Sequence, residues 1–205
     1  MTTKVAIIDY GMSNLDSICR AVQECGGDAI ITDQKSDILK CTHFILPGVG
    51  AFPTGMAHLK ERHLDELLYE QVVQKELPLL GVCLGMQLLA EGGDEVTPTS
   101  GLGWIPGYVR KMDVQPGERL PHMGWNEVRS VKPDPLFDDI TPGSDFYFVH
   151  SFTFRPTNAE DILATTPYAG GIVSAVRRGM LWGVQFHPEK SQRVGFKLLT
   201  RFIES

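Results

Sequence analysis

A cysteine set between two glycines, Gly81-Val82-Cys83-Leu84-Gly85, follows the apolar run Leu77-Pro78-Leu79-Leu80 and leads into Met86-Gln87-Leu88-Leu89-Ala90. We read Leu77 to Ala90 as a buried strand, a sharp turn and a helix, with Cys83 at the apex. Such a turn holds a nucleophile in a strained backbone conformation above the sheet edge, and the flanking glycines permit the close strand-to-helix packing it requires. A thiol nucleophile needs a thiolate, a base and an oxyanion hole. The start of a helix favours the thiolate through its dipole and its free N–H groups. The N–H of Leu84 then lies beside the sulfur, placed to receive a developing oxyanion. The local sequence leaves a second reading open, in which Cys83 is a small buried core residue.

The base should be a histidine with its own orienting partner. Of His43, His58, His63, His122, His150 and His187, only His187 closes a strand pattern and has a carboxylate, Glu189, two residues on. An extended chain puts residues i and i+2 on one side, and Pro188 between them favours an extended His187. His43, His58 and His63 read as hydrogen-bonded structural residues, while His122 and His150, in motif-like stretches, are candidates for shaping the site. A second oxyanion donor can come from Pro47-Gly48-Val49-Gly50, where a glycine on each side of Val49 lets that peptide turn its N–H inward. Phosphate binding is the rival reading of this loop, but the Gly-Lys-Ser/Thr ending of a nucleotide loop is missing.

The elements that must position these groups alternate through the first half. A β-branched strand from Lys4 to Asp9 precedes a helix capped at Ser13 or Asn14 and running to about Glu24. A strand from Ala29 to Thr32, a short helix from Ser36 to Lys40 and a strand from His43 to Leu46 follow, then a helix from Met56 or Leu59 to Lys75. This alternation implies a parallel sheet, with the glycine-rich loop at a carboxyl strand end where open α/β sheets bind ligands. Beyond Gly92-Gly93 the pattern changes to short β-prone pieces such as Asn126 to Val128, Phe146 to Val149, Val173 to Val176 and Leu181 to Phe186. These predict antiparallel strands, with Arg178-Gly179 as a hairpin turn. Ser191 to Ile203 closes the chain as a helix.

The 205 residues, 42% hydrophobic and 21% charged, suit one well-filled α/β domain. The net charge of −6 comes with scattered Lys and Arg, so nucleic acid and anionic membrane surfaces are not expected partners. No stretch approaches the roughly 20 apolar residues that span a bilayer, the N-terminal run is too short for a signal peptide, and a cytoplasmic protein is expected. Cys19, Cys25, Cys41 and Cys83 form no Cys-x-x-Cys pair and have no histidine at metal-ligand spacing, which argues against a metal site and against disulfides.

Gly81-Val82-Cys83-Leu84-Gly85-Met86-Gln87, taken with Gly183-Val184-Gln185-Phe186-His187-Pro188-Glu189, resembles the class I glutamine amidotransferases. The resemblance implies a single domain over 1–205, an α/β fold with an open, mixed, mostly parallel sheet flanked by helices and antiparallel strands in the C-terminal half. It implies a Cys83, His187 and Glu189 triad that hydrolyses the side-chain amide of L-glutamine through a thioester on Cys83, without a cofactor. Further stretches are similar to the glutaminase subunits of imidazole glycerol phosphate synthase: Asp9-Tyr10-Gly11, Leu46 to Phe52, Gly101-Leu102-Gly103-Trp104, His122 to Asn126, Phe146 to Ser151 and His187 to Ser191. By that resemblance Val49 and Leu84 furnish the oxyanion N–H groups, and Gly48, Gln87 and Ser151 hold the glutamine. Trp125, Tyr147 and Lys190 face a partner cyclase with a (β/α)8 barrel, which uses the ammonia to make imidazole glycerol phosphate and AICAR in histidine biosynthesis. Ser13 stands where those subunits usually have glycine, and Phe152 where tyrosine is common. On this reading the chain is weakly active alone, with the Pro47 to Gly50 peptide directing its N–H away at rest and inward once the cyclase docks. The alternatives are a glutaminase subunit serving a different synthase, a non-catalytic regulatory subunit of the same fold, and a hydrolase of esters or peptides.

Overall fold

The computed structural model describes residues 2–12 and 15–205, so the helix cap expected at Ser13 or Asn14 lies outside the described residues. Four strands build the first half: β1 (Lys4–Ile8), β2 (Asp28–Thr32), β3 (His43–Gly48) and β4 (Leu79–Cys83). Every residue of β3 and β4 is buried, as suits parallel strands covered on both faces. Helices α1 (Leu15–Glu24) and α2 (Lys35–Ile38) alternate with the first three strands, and α3 (Phe52–Glu61), α4 (Leu64–Leu68) and a π-helical turn (Tyr69–Gln74) lead into β4. After β4 comes the short helix α5 (Leu84–Leu88).

The single helix expected from Met56 or Leu59 to Lys75 is therefore two helices and a π turn. It starts earlier, at Phe52, because Pro53 falls in the first turn, where its missing N–H costs nothing. It breaks at His63, whose φ of 55° is left-handed and ends the α-helical ladder.

The second half supplies β5 (Gly92–Gly93), β6 (Thr99–Ser100), β7 (Gly107–Lys111), β8 (His122–Ser130), β9 (Ser144–His150), β10 (Phe152–Pro156), β11 (Ile162–Thr166), β12 (Ile172–Arg178) and β13 (Leu181–Val184). The nine-stranded main sheet has the order β2-β1-β3-β4-β13-β12-β11-β8-β9. Its pairings are parallel from β2 to β13 and antiparallel from there to β9. A small sheet, β10-β7-β5-β6, lies beside it. The turn between β12 and β13 is the tight hairpin expected, with Gly179 at φ 59° in its first central position. The last helix, α6 (Gln192–Ile203), packs with α1 on one face of the sheet.

Side-chain alternation along β1 divides the core. Val5 and Ile7 join Ile18, Val22, Leu198 and Phe202, while Ala6 and Ile8 join Met56, Leu59 and Leu88 on the opposite face. Two features bear directly on the site. The first is the approach of α5 to β3: a Cβ on Gly85 would fall 1.7 Å from the Leu46 carbonyl oxygen. The second is a buried polar chain tying β8, β9 and β10 together. Asn126 Nδ2 donates to His122 Nε2 at 3.1 Å, His122 Nδ1 lies 3.0 Å from His150 Nε2, and His150 Nδ1 lies 2.8 Å from the Phe152 carbonyl. A carbonyl only accepts, so His150 carries its proton on Nδ1, and its Nε2 must accept from His122. Both imidazoles are therefore neutral. Burial depresses them, His122 to about 4 and His150 to about 3.

Gly85→Ala should lower unfolding stability by at least about 3 kcal/mol in urea titration, because the obstacle is backbone that cannot rotate away. Acid should loosen the fold through the histidine pair. An unfolded imidazole titrates near ~6.5, so the unfolded state takes up protons first as pH falls below that value. Stability is then lost progressively until the folded pair also protonates, at about 4 and about 3. Thermal melts across this window should fall steeply for the wild type and less steeply for His122→Asn.

Candidate active site

Cys83 ends β4 and precedes α5, with φ 54° and ψ −108°. Positive φ is costly for a residue with a Cβ, and here it falls on a buried cysteine where a strand turns directly into a helix. The turn places the start of α5 directly against the Cys83 sulfur. At five residues α5 contributes nearby N–H groups more than a macrodipole, and Leu84 is its first residue.

Parallel pairing of β4 with β13 aligns Val82 with Val184, so the residues just beyond that pair meet. These are Cys83, the last residue of β4, and Gln185 to His187, which follow β13. His187 is buried, and its main-chain N–H donates to the Tyr147 carbonyl at 2.9 Å. Ser191 locks the same corner: its hydroxyl donates to the His187 carbonyl at 2.6 Å and accepts from the Tyr147 N–H at 3.0 Å. His187 Nδ1 lies 2.9 Å from Glu189 Oε1, which leaves Nε2 as the nitrogen for chemistry. Among the described residues, Nε2 is buried without a hydrogen bond of good geometry, as is Glu189 Oε2. Burial acts to lower the His187 pKa, but the Cys83 sulfur and the Glu189 carboxylate outweigh it and push the imidazole up to about 9. At neutral pH this is an imidazolium facing a sulfur.

The route by which Glu189 reaches His187 differs from the extended arrangement expected. Pro188–Lys190 forms a 3-10 turn, and the turn, rather than strand alternation, swings the carboxylate back onto the ring. Proline in the first turn is compatible with that geometry, and His187 itself is extended, with φ −102° and ψ 98°.

A cavity of about 250 Å³ opens beside the sulfur, lined by Val49, Gly50, Cys83, Leu84, Gln87, Glu95, Val149, His150, Ser151 and Phe152. It thus gathers Val49, Leu84, Gln87 and Ser151 from the residues singled out in the sequence. Gly48 stands behind it, packed so closely that a Cβ there would lie 2.1 Å from the Tyr10 hydroxyl. The Val49 N–H does not face the cavity but donates to the Met12 carbonyl at 2.7 Å. In this state Leu84, next to Cys83 at the start of α5, lines the cavity, and the Val49 N–H is turned away from it. Trp125, Tyr147 and Lys190 form a separate outer cluster. Trp125 and Tyr147 are cross-strand neighbours, their rings edge to face at 6.1 Å, and Lys190 Nζ lies 6.0 Å from the Tyr147 ring centroid.

Several site residues escaped sequence reasoning. Gln185 Nε2 lies 3.6 Å from Cys83 Sγ, and the Val149 carbonyl lies 4.0 Å from it. Glu95, whose Oε2 accepts from the Phe52 N–H at 2.8 Å, puts a carboxylate in the cavity wall. The Tyr10 hydroxyl is buried without a partner among the described residues, and burial, with the Cys83 charge as a second cause, holds it protonated. For Gln185 a signal existed: it is the polar residue in an otherwise apolar run, Leu181 to Phe186.

The family profile described as glutamine amidotransferase class-I matches residues 6–204. The HisH 2 subunit of imidazole glycerol phosphate synthase from Methanococcus maripaludis is 45% identical over 200 residues, covering 98% of each chain. The HisH subunit from Moorella thermoacetica is 44% identical over 200 residues, with 98% of this chain and 94% of that one covered. Among solved structures, a glutamine amidotransferase superposes with a TM-score of 0.76 at 19% identity, covering 98% of this chain and 97% of that one. A second, the PurLQS structure from Thermotoga maritima, gives a TM-score of 0.73 at 17% identity, covering 100% and 97%. These structural likenesses establish the fold, and the long, near-full-length sequence identities narrow it further. With an elbow cysteine beside a histidine that has its own carboxylate, the chain belongs to the class I glutamine amidotransferases, in the branch of the HisH subunits of imidazole glycerol phosphate synthase.

Proposed function

We propose that Cys83, His187 and Glu189 hydrolyse L-glutamine to glutamate and ammonia, and that the ammonia passes to a separate cyclase built as a (β/α)8 barrel, as one step of histidine biosynthesis. The observation that carries this reading is the positive-φ cysteine beside a buried imidazole raised to about 9, itself hydrogen-bonded to Glu189. On this reading 1–205 is one glutaminase domain working in the cytoplasm, a reducing compartment that suits free Cys19, Cys25, Cys41 and Cys83.

The Cys83 thiolate attacks the side-chain amide carbon of glutamine, and the electron pair of the C=O moves onto oxygen. The Leu84 N–H receives that oxyanion. Collapse of the tetrahedral species breaks the C–N bond, with the His187 Nε2 proton going to the departing nitrogen, so ammonia leaves and a thioester remains. Neutral His187 then takes a proton from water as the water attacks the thioester, and the thiolate departs with glutamate formed. Glu189 keeps Nδ1 protonated and Nε2 directed at the reacting atoms throughout. Gln87 and Ser151, in the cavity wall, and the backbone near Gly48 hold the substrate, and Glu95 offers a carboxylate to its α-ammonium group.

The Val49 N–H bound to Met12 supports a resting state short of one oxyanion donor. Turning that peptide inward would complete the hole, and Gly48 and Gly50 on either side make the rotation inexpensive. Trp125, Tyr147 and Lys190 suit a docking surface, because half-exposed aromatic side chains anchor interfaces. The Tyr147 carbonyl receives the His187 N–H, so this surface is one hydrogen bond from the catalytic base.

Mixed with a histidine-pathway cyclase and its nucleotide substrate, the wild type should release glutamate at least about a hundredfold faster than alone, the magnitude expected for gaining one oxyanion donor. Cys83→Ala should release none while ammonia-fed cyclisation continues; glutamine hydrolysis by that variant, or equal turnover with and without the partner, would refute the scheme. Trp125→Ala should weaken the complex by about 2 kcal/mol in titration calorimetry and leave unfolding stability nearly unchanged.

A further inference from the structure

Gln185 is fully buried, a primary amide inside the apolar centre of the sheet. It follows Val184, whose register partner on β4 is Val82, so its side chain lies next to Cys83. Both ends of the amide are engaged: Oε1 accepts from Gln87 Nε2 at 3.0 Å, and Nε2 faces Cys83 Sγ at 3.6 Å. Gln87 Nε2 spends its other proton on the Phe152 carbonyl, also at 3.0 Å.

This pattern fixes which end is which. The Gln87 nitrogen faces a carbonyl on one side, so it is the NH2 group of that amide and can only donate to Gln185. The end of Gln185 that meets it must be the oxygen, and the end that meets the sulfur must be the NH2. Reversing Gln185 would set two NH2 groups against each other and a carbonyl lone pair against the sulfur. The main chain is held as well, since the Gln185 N–H donates to the Ser174 carbonyl at 2.9 Å. A buried donor aimed at a sulfur is weak toward a thiol and strong toward a thiolate. Its direction is set before any substrate arrives, so no reorganisation is needed at the moment of reaction.

We infer that Gln185 holds the Cys83 sulfur as a thiolate and sets the direction from which it attacks, with Gln87 and the Phe152 carbonyl locking the amide in the donating orientation. The inference rests on Cys83 being the nucleophile. The contact serves both halves of the reaction. As sulfur bonds to the amide carbon its charge passes to the oxyanion and the N–H···S bond weakens; when water displaces the sulfur from the thioester, the departing electron pair regains the donor. Gln87 thereby has two tasks, with both its protons in the lock and its oxygen left for the cavity.

The test uses the complex with the cyclase. Gln185→Leu should reduce kcat for glutamate release by about tenfold with KM for glutamine changed less than about twofold, and should diminish the ultraviolet thiolate absorbance that disappears in Cys83→Ala. Gln185→Glu, which sets a carboxylate against the sulfur, should lose more of both. A merely structural role would change stability and leave the thiolate signal per folded molecule intact. If these variants fold poorly, the wild type answers alone: alkylation of Cys83 should move the side-chain NH2 resonances of one buried glutamine. Unchanged resonances, or a Gln185→Leu protein with wild-type thiolate signal and kcat, would overturn the inference. Failure of a glutamine-analogue electrophile to label wild-type Cys83 would instead remove the nucleophile reading itself.

Discussion

A helix lying so close to a strand that one Cβ cannot fit between them is the constraint from which the rest of this molecule follows. At Gly85 that Cβ would stand 1.7 Å from the Leu46 carbonyl oxygen. To enter α5 at this separation the chain must leave β4 within one residue, and the residue that absorbs the bend is Cys83, at φ 54°. Such a conformation costs on the order of 1–3 kcal/mol. The helix offsets it by burying Leu84, Met86 and Leu88, each contributing about 1.5–3 kcal/mol of apolar transfer. The Cys83 sulfur faces its cavity because the surrounding packing leaves the backbone no other course.

A second close approach does for His187 what the first does for Cys83. A Cβ on Gly195 would meet the Pro188 carbonyl at 1.9 Å, so α6 presses on the 3-10 turn that carries Glu189. Ser191 binds that turn to β9, and the parallel register of β13 with β4 brings it over Cys83. The sheet changes from parallel to antiparallel at β13. β9, at the far edge of that sheet, reaches the site instead through the His187 N–H bond to the Tyr147 carbonyl, which sets the Val149 carbonyl 4.0 Å from the Cys83 sulfur.

How much of this was legible in the sequence depended on how local the signal was. That Cys83, His187 and Glu189 would come together could be read because each sits in a short stretch whose residue types suggest the pairing. The alternating first half could be read from its apolar runs, and the β12 to β13 turn from one glycine. Gln185 lay in plain view but had no assignable task, since its partner Gln87 is 98 residues away. The break at His63 and the 3-10 turn at Glu189 are backbone decisions made by tertiary packing, which overrides local pattern. The glycines on either side of Val49 signalled a peptide free to turn its N–H away, but the group that receives it, the Met12 carbonyl, is one every residue has and so left no trace in residue types.

That N–H gives the site its character. On the proposed reading the triad is in place, with His187 held by Glu189 and pushed toward its charged form, the amide of Gln185 is fixed, and one oxyanion donor is turned away toward Met12. Losing a single donor of this kind suppresses turnover by about 10²–10³. Recovering it requires breaking one main-chain hydrogen bond, worth about 1 kcal/mol net, at a peptide between two glycines. The catalytic consequence is thus larger than the conformational cost, a ratio that makes the peptide an efficient control point. A docking partner would have to divert only a small part of its binding energy to turn it. The rigid parts of the site, held by close approaches and buried polar bonds, need not move at all, so activation and preorganisation reside in different residues and do not compromise each other.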